Sequence, residues 1–220
     1  MHKVSDRLLF FAALSIAVTV SGCQSVYYNT MEKFGYQKRE ILVDRVKDAR
    51  DENKKTAEQF NSALAQFSQV VNFGGGNLEE KYEQLNAEFQ RCESSAEAVK
   101  KRIAAVEDVG EALFDEWEAE LKQYTNTKLR KASQQKLVRT RRQYDQLIRS
   151  MKRAESKIDP VLSAFRDQIL YLKHNLNAKA IASLQTELIS VENNVASLVR
   201  EMEEAISEAD GFIKAMGETT

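Results

Sequence analysis

Apolar side chains recur along most of this chain at alternating steps of four and three. The longest run is Leu78, Tyr82, Leu85, Phe89, Cys92, Ala96, Val99, Ile103, Val106, Gly110, Leu113 and Trp117, six heptads in one phase. A repeat averaging 3.5 residues holds these side chains on one stripe of a helix and marks a coiled-coil seam. Upstream, Phe60, Leu64, Phe67 and Val71 carry the same spacing in a helix expected from about 36 to 71. "FGGGN", residues 73–77, stops it. Asn77, with Glu80 three places on, then forms a capping-box signature for the next helix.

The pattern blurs across residues 122–136 and resumes at Leu137, Tyr144, Leu147, Met151, Ala154 and Ile158. Asp159-Pro160 reads as an N-cap followed by proline at the first helical position, which predicts a turn there. The last helix then shows Leu162, Phe165, Ile169, Leu172 and Leu176, and shifts phase at "HNLNA". A second clean seam runs through Ile181, Leu184, Leu188, Val191, Val195, Leu198, Met202, Ala205, Ala209, Phe212 and Met216, with Gly217 as its stop.

Hairpins folded at Gly75 and Asp159 set two helices against the middle one, overlapping on residues 103–120. Ala98, Ala105, Ala112 and Ala119 recur every seven residues beside the seam, with Val109 between, and broaden the apolar stripe where two partners meet. The expected fold is all-α, an elongated antiparallel three-helix coiled-coil bundle with two-helix arms. An unbroken middle helix would be about 120 Å long at 1.5 Å per residue.

The first residues differ in kind. Lys3 and Arg7 against Asp6 precede an apolar run from Leu8 to Val20, too short for a spanning helix and suited to a signal peptide. Val20-Ser21-Gly22-Cys23 resembles the lipobox of bacterial lipoproteins. That resemblance implies that Cys23 receives a diacylglycerol, that cleavage falls before it, and that its new amino group takes a further acyl chain such as palmitate. Gln24, rather than aspartate, implies the outer membrane, facing the periplasm. The expected organisation is a cleaved signal peptide at 1–22, a lipid-anchored tether at 23–35, a helical coiled-coil domain at 36–217 and a tail at 218–220.

Composition narrows the chemistry. Removing residues 1–22 takes Lys3, Arg7 and Asp6 from totals of 32 Lys+Arg and 33 Asp+Glu, leaving a net charge of about −2. Pro160 is the only proline. With Cys23 lipidated, Cys92 is the only thiol left and His174 the only histidine, so neither an internal disulfide nor a His-rich metal site is expected. No cofactor and no enzymatic activity are expected from this inventory.

Four stretches, "REILVDRVKDARD", "FGGGNLEEKYEQLN", "VEDVGEALFDEWEAEL" and "DPVLSAFRDQILYLKHNLNAKAIASL", resemble the bacterial family called domain of unknown function 2959, from about Arg39 to Phe212. The resemblance implies a helical envelope protein and supplies no catalytic residues.

"GGGN" lacks the Gly-Lys-Ser/Thr of a phosphate loop, since Gly76 is followed by Asn77 and Leu78. Cys92 and Trp117 occupy seam positions and read as core, ahead of a redox or cross-linking thiol and a ligand platform. Arg166, Asp167, Lys173, His174, Asn175 and Asn177 concentrate polar groups beside an apolar helix and form a candidate interaction patch, or else relieve a register shift. Residues 107–120 hold Glu107, Asp108, Glu111, Asp115, Glu116, Glu118 and Glu120 with no base. Residues 128–153 hold Lys128, Arg130, Lys131, Lys136, Arg139, Arg141, Arg142, Arg149, Lys152 and Arg153 with Asp145 as the only acid. With a turn at Asp159, nothing acidic enough opposes this stripe, which makes it a candidate site for lipid phosphates, lipopolysaccharide or another polyanion.

The leading expectation is a non-enzymatic, lipid-anchored scaffold of the outer membrane. It would be held by its N-terminal acyl chains and bind an envelope protein or peptidoglycan. The alternative is a membrane-surface polyanion-binding module. Nucleic acid fits the charge but not the compartment, and an arm exposing part of its seam leaves homo-oligomerisation open.

Overall fold

The structure is a computed structural model that describes residues 38–217. The expected signal peptide, Cys23, the tether and the 218–220 tail lie outside the described residues. The chain divides into two units, Met1–Ile41 and Leu42–Thr220, and the second holds the helical bundle.

The described residues form four helices: α1 (Lys38–Val71), α2 (Leu78–Leu121), α3 (Thr127–His174) and α4 (Ala178–Gly217). No strand occurs among them. The seam residues of α2 from Leu85 to Val106 are buried, and so are those of α4 from Val191 to Met216. The heptad pattern thus became the core because only a stripe of that period stays turned inward along a helix tens of ångströms long.

Two expected boundaries are corrected. The middle segment is broken at residues 122–126, where Asn126 caps α3 by accepting from the backbone N–H groups of Lys128 and Leu129 at 3.0 and 3.2 Å. No turn occurs at Asp159-Pro160, because α3 runs straight through Pro160. A proline inside a helix removes one hydrogen bond and costs about 3 kcal/mol. Against that, Ile158, Val161, Leu162, Phe165, Ile169 and Leu172 are all buried on the same face of α3, and each large apolar side chain so buried returns about 1.5–3 kcal/mol. Packing wins at Pro160, and the breaks at 122–126 and 175–177 make four helices instead of three.

The turn before α2 follows from its glycines. Gly75 and Gly76 have φ of +132° and +113°, which only glycine adopts without strain. Asn77 then accepts from the N–H groups of Glu79 and Glu80 at 3.1 and 3.3 Å. Glu80 does not complete a capping box; its carboxylate accepts from Gln84.

Cross-helix contacts set the helices in up-down-up-down order around one core. α1 meets α2 through Gln59–Glu88 at 2.6 Å and Arg102–Asp48 at 3.1 Å. α2 meets α3 through Arg166–Glu93 and Lys100–Asp159. Gln146–Glu208 joins α3 to α4 at 2.9 Å, and Arg50–Asp210 closes the ring from α1 to α4 at the same distance. Phe67 of α1 and Phe165 of α3 meet edge to face across the centre, 6.0 Å apart. The backbone of α3 comes nearest to those of α2 and α4.

Candidate functional site

The break at residues 122–126 changes what opposes the basic run. Folding there lays α3 back along α2, so the acidic stretch 107–120 faces the start of α3. Lys152 binds Glu107 at 2.9 Å and Glu155 at 3.1 Å, and Arg141 binds Glu118 while lying 4.8 Å over the Phe114 ring. Burial lowers the Lys152 pKa, but the two carboxylates outweigh it and leave the group raised. The expectation that nothing acidic opposes this stripe is therefore corrected.

The pairs form a ladder. Glu93–Arg166, Lys100–Asp159 and Glu107–Lys152 step by seven residues down α2 and seven back up α3. Glu118–Arg141 keeps the same register eleven residues further on. Because no rung slips between Arg166 and Lys152, Pro160 leaves the antiparallel alignment intact. All rungs are partly exposed, so each contributes at most about 1 kcal/mol; their role is to select one alignment.

The basic run thus splits in two. Arg141 and Lys152 pair with α2, and Arg153 lies 3.4 Å from both Glu201 and Glu204 of α4. Lys128, Arg130, Lys131, Arg139, Arg142 and Arg149 are exposed and form no ion pair among the described residues.

These open cations lie towards the end of the bundle that two of the described helices, α2 and α3, reach. Glu208 stands beside Gln146, so α4 ends, at Gly217, about level with Leu137. Asp48 stands beside Arg102, which puts Leu42 of α1 about level with Asp108. Beyond those levels, among the described residues, α2 and α3 alone continue, and no side chain from Asp115 to Lys136 is buried. Trp117 ties this tip together by donating its indole N–H to Ser133 Oγ at 2.8 Å. Sequence reasoning missed the tip's exposed apolar residues: Tyr124 is 39 %, Leu129 57 % and Val138 53 % exposed. The signal was present as the blurred seam, where apolar residues continue without the period that would bury them.

The second candidate patch is brought to the α3–α4 turn and divided by it. Arg166 is engaged by Glu93 at 2.7 Å and lies 5.7 Å from the Phe89 ring centre. Lys173 and His174 occupy the last turn of α3, where the Lys173 charge complements the helix dipole. Asn175 donates to the Tyr171 carbonyl at 2.9 Å, and the Asn177 side chain accepts from the Ala180 N–H at 3.1 Å. Asp167 is exposed. The two asparagines therefore act at helix ends.

Elsewhere, Cys92 is fully buried with its thiol donating to the Gln59 carbonyl at 3.6 Å. Burial raises its pKa to about 12, which keeps it a protonated thiol at neutral pH. A groove of about 530 Å³ lies between α1 and α4, lined by Arg50, Lys54, Asn61, Glu203, Ile206 and Asp210 among others. No group of three or more His, Cys, Asp or Glu side chains that could hold a metal ion occurs among the described residues. No described helix is long and apolar enough to cross a membrane.

A family model described as protein of unknown function (DUF2959) matches residues 27–216. The chain belongs to this family. The match extends from the residues before α1 to the last turn of α4, so the four-helix unit lies almost wholly within what defines DUF2959. No curated protein and no solved structure matches the chain.

Proposed function

We propose that this DUF2959 chain is a lipid-anchored, non-enzymatic helical scaffold of the bacterial cell envelope. Its place would be the outer membrane, with the bundle in the periplasm. The observation that carries this reading is the lipobox-like Val20-Ser21-Gly22-Cys23 after an apolar run, followed by a bundle that begins within a few tens of residues. Two acyl signals on Cys23 would hold the chain firmly where one chain binds only reversibly. The bundle's long polar faces would then carry contacts with an envelope protein or peptidoglycan.

The test is metabolic labelling with palmitate followed by membrane fractionation. Label in the wild-type chain, its loss in Cys23→Ser, and flotation with outer membranes support the reading. An unlabelled chain overturns the anchor. For the scaffold, in-cell crosslinking from positions between 139 and 181 should capture the same envelope component repeatedly.

One observation favours a second reading, polyanion binding by the 128–153 region: six of its cations are exposed and have no carboxylate partner among the described residues. Reversing Arg139 and Arg142 should abolish a salt-sensitive interaction if this is correct.

A further inference from the structure

We propose that the α2–α3 tip, residues 115–138, is a docking surface for the anionic phospholipid headgroups of a bilayer. The inference deepens the polyanion reading by naming the surface and its occupant, and rests on the lipid-anchored reading only for the bilayer's proximity.

Three observations point the same way. First, residues 115–142 hold eight cations against the four acids Asp115, Glu116, Glu118 and Glu120, with Glu118 taken up by Arg141, so the balance attracts a negatively charged surface. Second, Tyr124, Leu129 and Val138, three of the exposed large apolar side chains, lie within or beside this cationic stretch. A soluble polyanion would use the charge alone, whereas a headgroup layer also receives apolar and aromatic groups. Third, the tip extends past Gly217, the end of α4, and Leu42 of α1 lies towards this same end of the bundle. Cys23 precedes Leu42 by nineteen residues. An acyl anchor on Cys23 would keep the chain close to a bilayer.

The tip carries its own reporter, since Trp117 is the only tryptophan. The full chain is reconstituted into vesicles of brominated phosphatidylcholine, with and without phosphatidylglycerol. Trp117 emission should be quenched when phosphatidylglycerol is present and recover in high salt. A triple reversal at Lys128, Arg130 and Lys131 should remove the quenching, and Leu129→Gln should weaken it. Both variants change exposed residues, and unchanged circular dichroism confirms their folding. Emission indifferent to phosphatidylglycerol, in a chain that floats with the vesicles, overturns the proposal. So does equally tight binding to inorganic polyphosphate that ignores Leu129→Gln, which would make a free polyanion the ligand. Cys23→Ser separates the two readings: quenching retained on anionic vesicles supports the tip even if the acyl anchor fails, and a variant that neither floats nor is quenched at low salt overturns it.

Discussion

Gly110 of α2 lies directly beneath the ring of Tyr144 of α3, and a methyl group placed on it would stand 2.4 Å from the phenol carbons and oxygen. The ring is held there from other sides, 5.2 Å from Phe114 and 6.4 Å from Phe212, with its hydroxyl 3.4 Å from the carbonyls of Val106 and Glu107. It has little room to withdraw. Gly110→Ala should destabilise the bundle by about 1–3 kcal/mol despite the higher helix propensity of alanine. Urea unfolding checks this, and a Tyr144→Leu background should shrink the cost. An equal cost in both backgrounds would mean that the ring is not the obstacle.

Pro160 gives a prediction whose sign separates two structures. Inside α3 it lacks the N–H that would bond to the carbonyl four residues back, and it is exposed. Pro160→Ala should therefore stabilise the chain by roughly 1–3 kcal/mol. At the first position of a separate helix the same change would be neutral or unfavourable. The thermal midpoint decides between them.

The buried thiol fixes a pH dependence. Cys92 has an ordinary pKa of 9.0, and burial raises it to about 12 in the folded chain. The folded state holds this proton more tightly, so its contribution is complete below pH 9 and is lost as pH rises through 9 towards 12. Tyr144 acts in the same direction, its pKa raised by burial and then by Glu107 and Asp145. Denaturant midpoints should fall above pH 9, and less steeply in Cys92→Ala. Alkylation of Cys92 should be slow in the native chain and fast in guanidinium.

Thr56 is fully buried in α1 and its hydroxyl has no hydrogen-bond partner in the protein. Leaving a buried hydroxyl unsatisfied costs about 1–3 kcal/mol. Thr56→Val keeps the shape and removes that cost, so its unfolding midpoint should rise. A lower midpoint would show that the hydroxyl is satisfied in solution.

The seams were legible because a period of 3.5 sustained over several heptads has one reading. The topology was not, and Pro160 and Asn126 show why. Pro160 carries a strong local stop signal, yet Ala154, Ile158, Leu162, Phe165 and Ile169 keep step across it, and burial of that stripe outweighs one lost hydrogen bond. Asn126 ends a stretch with no proline or glycine, so the true break advertised itself only as a fading seam. The charged surface depended on that choice of turn. Glu118 and Arg141 are far apart when the chain folds at Asp159, and become partners only when it folds near Tyr124. The exposure of Leu129 and Val138 was equally hidden, because it depends on where α4 stops and Leu42 begins.

The ring of helices also orders the chain in time. Three of its four seams join segments adjacent in sequence, so each hairpin can form as soon as its second half is present, and such local pairing makes for rapid assembly. Only the α1–α4 seam must wait, its Arg50–Asp210 clasp joining partners 160 residues apart. A chain delivered from its amino end would leave one flank of α1 open until α4 arrived, making that seam the last to close.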